Sequence, residues 1–168
     1  MLNRTLFHGS LLGLGLGLLA AFAALPAAAA GTVEVTWVQP ERYIDTGRKL
    51  WEREDALKSQ GAHFKKLGPQ LPDGQTLKIE VLDVDLAGDL EPGTGRDLRV
   101  LRGGADGPRI TLRYTLQQGG QTLKAGEEQL TYPNYYQGTL RANVQSDSDL
   151  AYEKHMIVQW FAATFGTR

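Results

Sequence analysis

The sequence predicts an α+β domain, a two-layer sandwich in which a mostly antiparallel four-stranded sheet carries two helices on one face in the order β-α-β-β-β-α. Three observations predict it. Ile110, Leu112, Tyr114 and Leu116 alternate with Arg109, Thr111, Arg113 and Thr115, the period-two pattern of a half-buried strand. Gln118-Gly119-Gly120-Gln121 follows at once, and two glycines supply the positive φ that both central positions of a type I′ hairpin turn require. Two segments with apolar residues at helical spacing, one early and one closing the chain, stand on either side of the strands.

In chain order, residues 1–30 come first and stand apart. Arg4 precedes an apolar run from Leu11 to Leu25, interrupted by Gly13, Gly15 and Gly17 and ending in Pro26 and four alanines. A membrane-spanning helix needs about 20 apolar residues, and this run is shorter. It reads as a secretory signal peptide, with Ala28 and Ala30 meeting the small-residue rule for cleavage, so the mature chain is expected to begin near Gly31 or Thr32. The expected location is therefore the periplasm or the exterior, with no stable membrane insertion after cleavage. The 168 residues contain no cysteine, so disulfides are excluded and stability must come from one core. The formal net charge is −1, and the leader removes only Arg4 among the charged residues. That near-neutral balance predicts no bulk affinity for nucleic acid.

Residues 31–168 have the size of a single domain. Val33 to Val38 alternate between faces and stop before Pro40, giving the first strand. Asp45 or Thr46 is expected to cap a helix running to about Lys66, with Leu50, Leu57 and Phe64 at heptad spacing beside Trp51. Its other face, from Arg48 and Lys49 through Arg53 to Lys65 and Lys66, reads as solvated. Leu77, Ile79 and Val81 form the second strand, after which the apolar parity passes to Leu82, Val84 and Leu86. A bulge near Val81 to Leu82 resolves the conflict. The Gly- and Pro-rich segment from Asp89 to Pro108 reads as a long excursion, with a short strand of its own around Leu98 to Leu101. The hairpin is expected to pair Leu116 with Leu123 and Tyr114 with Ala125, with a second bulge at Gly126 because Leu130 and Tyr132 carry the inward parity beyond it. Residues 146–149 offer caps for a closing helix that buries Leu150, Ile157, Trp160, Phe161 and Phe165.

WVQPERYIDTGR, LKIEVLDVDLAGDLEP, PRITLRYTL, GEEQL and the closing YEK…WF together resemble the exported bacterial family catalogued as domain of unknown function 3016. The resemblance spans essentially the whole mature chain and departs after Leu130, where Tyr132 and Pro133 replace the expected acidic residue and Met. It implies the fold and export, and brings no activity with it.

No catalytic signature is present: there is no G-x-S-x-G, no H-E-x-x-H, no phosphate-binding loop and no dinucleotide fingerprint. No cofactor and no metal ligand set is implied. His63 and His155 lie on different helices, and neither is spaced with another ligand. Two clusters remain as binding candidates. Asp83, Asp85, Asp89 and Glu91 surround Gly88, and could hold a divalent cation or, as paired carboxylates, work as acid and base in a hydrolase. The calcium-loop pattern fails at Ala87 and Thr94, and Asp83 or Asp85 could instead accept backbone N–H groups where the strand leaves the sheet. Arg96, Arg99, Arg102, Arg109 and Arg113 are bunched, and Arg109 and Arg113 share one strand face. They could hold an anionic envelope polymer, or form ion pairs on an outward face with Arg113 opposite Glu127. The sequence thus favours a non-catalytic envelope domain whose partner is an envelope protein or an anionic polymer, with a carboxylate hydrolase or cation-binding protein as the alternative.

Overall fold

The computed structural model describes residues 29–93, 97–137 and 150–166. The leader's apolar run, Arg96 and the capping residues 146–149 lie outside the described residues.

The elements follow in the order β1 (Thr32–Trp37), α1 (Leu50–Lys65), β2 (Gln75–Asp85), β3 (Asp89–Glu91), β4 (Leu98–Val100), β5 (Arg109–Gln118), β6 (Gln121–Thr131) and α2 (Ala151–Phe165). The main sheet has the order β1-β2-β5-β6, and β3 and β4 form a second, two-stranded sheet. β1 runs parallel to β2, as the intervening α1 permits, and the other neighbours are antiparallel. The α+β architecture predicted from sequence is the one observed, and the excursion adds a hairpin of two short strands to it.

One core joins the sheet to both helices. Leu77, Ile79, Val81 and Val84 of β2 and Ile110, Leu112, Tyr114 and Leu116 of β5 are buried together with Leu57 and Phe64 of α1 and Met156, Ile157, Trp160 and Phe161 of α2. Each such side chain contributes about 1.5–3 kcal/mol by leaving water. Trp160 sits at the centre, edge-on to Tyr114 and Phe165 at 5.8 and 5.5 Å, and donates its indole N–H to Glu128 Oε2 at 3.0 Å. The parity change in β2 is met by a register shift between Val81 and Asp83, so Leu82 is the extra residue and Val84 returns to the core.

Three local expectations need correction. The α1 N-cap is Lys49, not Asp45 or Thr46, and its backbone N–H is taken by Glu52 Oε2 at 3.0 Å. Asp45 is drawn away because it bridges to Asp85 at the end of β2, with its N–H on the Val84 carbonyl. The buried stripe consequently begins at Ala56, and Leu50 and Trp51 stay 67% and 57% exposed. In the hairpin Leu116 faces Lys124 and Tyr114 faces Gly126, with the shift at Leu116 to Gln117 and none at Gly126. Lys124 holds its place on the helix-bearing face by passing over the Phe165 ring to the Thr164 carbonyl, and Leu123 is left 48% exposed. Gly126 has a packing role there, because a Cβ would lie 2.9 Å from the Tyr114 hydroxyl.

Candidate functional site

The carboxyl ends of the parallel pair β1 and β2, the N-termini of α1 and α2 and the small β3–β4 sheet all converge on one end of the domain. Between them opens a cleft of about 440 Å³, within the size range of small-ligand sites. Its apolar lining comes from Ala56, Leu86, Leu90, Leu101, Ala151 and the exposed Trp51. Its charged lining comes from Glu52, Asp55, Glu153 and Arg99.

The floor of this cleft is fixed by charge-assisted hydrogen bonds. Arg99 forks onto Asp45, Nη1 to Oδ2 at 2.8 Å and Nη2 to Oδ1 at 3.1 Å, and shares Nη1 with the Gly88 carbonyl at 3.0 Å. Asp45 Oδ1 also accepts the Gly47 N–H at 2.9 Å. Glu153, buried in the first turn of α2, accepts the Ala87 N–H at 2.8 Å. The turn that ends β2 is therefore pinned from two sides, by a β4 side chain and by an α2 side chain. Gly88 adopts a φ of +81°, and a Cβ there would lie 2.6 Å from the Val100 carbonyl oxygen, so glycine alone suits this crossing.

Of the two candidate clusters read from sequence, Arg99 lines the cleft, whereas Asp83, Asp85, Arg109 and Arg113 lie outside it. Asp83 Oδ1 accepts the Ile44 N–H at 3.0 Å, holding the loop after β1 against the end of β2. Asp85 is paired with Arg109, and burial of its carboxyl outweighs that arginine and pushes its pKa up. Arg113 bridges Glu80 at 3.1 Å and Glu127 at 3.0 Å across three strands. Asp89 and Glu91 are both held by Arg102. Among the described residues no group of three or more His, Asp or Glu is arranged to hold a metal ion. Nor does either described histidine reach the cleft. His63 Nε2 donates to the Lys154 carbonyl at 3.0 Å, burial lowering its pKa, and His155 stacks near Tyr132 at 5.2 Å.

A second, smaller core supports the β3–β4 side, built from Ala87, Tyr135 and Tyr152. The fully buried Tyr135 donates to Asp106 Oδ2 at 2.9 Å, and Asp106 also accepts the Arg102 and Gly104 N–H groups at 2.7 and 2.8 Å. Burial pushes the Asp106 carboxyl up, yet these donors outweigh it and hold the pKa below the ordinary carboxylate range. Tyr135 is pushed well above the ordinary phenol value by burial and by that same carboxylate. On the other side of the site Tyr43 donates to the Val81 carbonyl at 2.7 Å, and burial raises its hydroxyl to about 12.

Sequence reasoning missed the cleft residues because they are ordinary by type. Trp51 reads as a core residue beside the heptad stripe, and Arg99 as one of a bunch. Comparison with known proteins places residues 31–163 in the family described as protein of unknown function (DUF3016), and the chain belongs to that family. No curated protein matches it, and no solved structure does.

Proposed function

We propose that this member of the DUF3016 family is exported by a cleaved leader and acts in the bacterial envelope as a non-catalytic binding domain, with its partner seated in the cleft between α1, α2 and the β3–β4 sheet. The observation that carries the binding reading is the cleft itself: an apolar lining from Ala56, Leu86, Leu90, Leu101 and Ala151, with an exposed Trp51 at its rim. Export is supported by the leader pattern and by the start of the family match at residue 31, where the mature chain is expected to begin. Among the described residues no helix is long and apolar enough to cross a membrane.

The cleft suits an apolar segment of an envelope protein better than an anionic polymer. Glu52, Asp55 and Glu153 set three carboxylates against the single guanidinium of Arg99, which Asp45 already engages. A photo-crosslinking residue at Trp51, introduced in the full chain and activated in intact cells, is expected to capture an envelope protein. The same probe at Lys78, on the opposite sheet face, is expected to capture nothing. Capture at both positions, or at neither, would sink the reading. Intact mass of the protein recovered from the periplasm tests export separately, with a start near Gly31 or Thr32 expected and a full-length chain contradicting it.

A further inference from the structure

Beside the cleft, and sharing Thr46, Gly47 and Leu90 with it as a common wall, lies a second cavity of about 300 Å³. Tyr43, Ile44, Asp45, Arg48 and Arg53 complete its lining. Arg53 is unlike the other described arginines. Arg42, Arg48, Arg99, Arg102, Arg109 and Arg113 each donate to an acceptor within the chain. Among the described residues the Arg53 side chain has neither a hydrogen bond nor an ion pair, and its Nε is shut off from solvent without a partner. A guanidinium partly withdrawn from water and left uncompensated is costly, since a charged donor enclosed without an acceptor loses hydration that nothing replaces. Among the described residues no acceptor balances it.

The surroundings define what that acceptor is. Arg48 lines the same cavity and is held only by the Leu90 carbonyl at 3.2 Å and a long 3.5 Å approach to Asp97. The one carboxylate in the lining, Asp45, is occupied by the Arg99 fork and the Gly47 N–H. The 16-residue α1 begins at the same place, and its N-cap side chain is an ammonium, which cannot accept the first-turn N–H groups. Two guanidinium forks lining one cavity, with the one carboxylate of that lining already engaged, match the paired oxygens of an oxyanion.

We propose that this cavity is an oxyanion site, in which Arg53 and Arg48 grip a phosphate or carboxylate group. The site does not depend on the neighbouring cleft being occupied. Nε is enclosed, so the terminal nitrogens of Arg53 are the donors that meet the ligand, and Nε reports the event without touching it.

The test is a titration of the full chain with inorganic phosphate and, separately, with acetate, following the arginine Nε–Hε signals by NMR with sodium chloride as the screening control. Saturable movement of the Arg53 signal is expected with at least one oxyanion and not with chloride. Phosphate alone would identify a phosphoester ligand, acetate alone a carboxylate ligand. Arg53→Gln should weaken binding about tenfold or more, the loss of a charge-assisted pair. Arg48→Gln should weaken it less, and Arg42→Gln, whose partner is Gln39, should leave it unchanged. No saturable shift, or undiminished affinity in a natively folded Arg53→Gln protein, would overturn the proposal. Should Arg53→Gln fail to fold, the wild-type titration still decides.

Discussion

The outward face of the sheet and the length of helix α1 handle polar groups in opposite ways. On the sheet, register sets the arginines beside opposite charges: Arg113 lies between Glu80 and Glu127, and Arg109 beside Asp85. On α1, three buried side-chain atoms have no partner, Arg53 Nε and both amide atoms of Gln60, and they are the only such atoms among the described residues. Cross-strand pairing is periodic, so one correct register satisfies a whole face. A helix rotates its residues past several environments, and a polar side chain can be carried into one that holds nothing for it. Unmatched atoms thus collect on the element whose pairing no ladder dictates. One of them adjoins the proposed oxyanion site, at Arg53, and the others mark where stability has been given up, at Gln60.

The largest effect is expected where a matched group is removed from a half-buried place. Arg99→Ala strips Asp45 of its fork and leaves the Gly88 carbonyl without its donor, and should cost about 2–3 kcal/mol in chemical denaturation. A cost below ~1 kcal/mol would mean that the pinned floor of the cleft is not held by this pair. The opposite change belongs to α1. Gln60 is 0% exposed and unpartnered, so Gln60→Met, similar in volume and without the amide, should stabilise the fold by about 1–2 kcal/mol. Destabilisation by Gln60→Met would show that the amide is satisfied in solution, by an enclosed water or otherwise.

A smaller effect separates matched groups from each other. Asp106 has its folded pKa lowered by the Arg102, Gly104 and Tyr135 donors, so the stability it supplies is present above its unfolded value of about 3.9 and is lost as pH falls through the folded value. Asp106→Asn should therefore flatten the acid limb of the stability profile below about pH 4 while leaving its neutral region the same shape. Asp85 has the reverse sign, since its raised pKa means stability lost as pH rises from about 3.9 through the folded value. An unchanged acid limb in Asp106→Asn would place the transition elsewhere.

How much of this was legible in the sequence follows the same division. The β2 bulge could be read because apolar parity breaks between Val81 and Leu82, and the β5 faces could be read because Ile110 to Leu116 alternate without exception. The β6 register could not, because parity takes Lys124 for an outward residue, whereas its stem crosses Phe165 on the helix-bearing side. The start of α1 was hidden because Asp45 serves the sheet instead of the helix. Asp83 and Arg113 have the partners their positions suggest, a backbone N–H and Glu127. Arg53 was submerged in a charged run, and nothing in its spacing tells that its guanidinium is enclosed and unmatched.

The smallest expected effect is at Arg113, on the matched face. Its side chain is exposed, and the two glutamates that raise its pKa, Glu127 before Glu80, hold it by bonds that water and salt readily replace. Arg113→Ala should leave the denaturation midpoint within error of the wild type in physiological salt, and a difference, if resolved at low ionic strength, should vanish on adding salt. The oxyanion titration should be unaffected as well, because Arg113 does not line the Arg53 cavity. A salt-independent loss of stability in Arg113→Ala would mean that the outward face is covered in the working protein, and the division between a matched, inert sheet face and an unmatched, ligand-seeking helix would then fail on its sheet side.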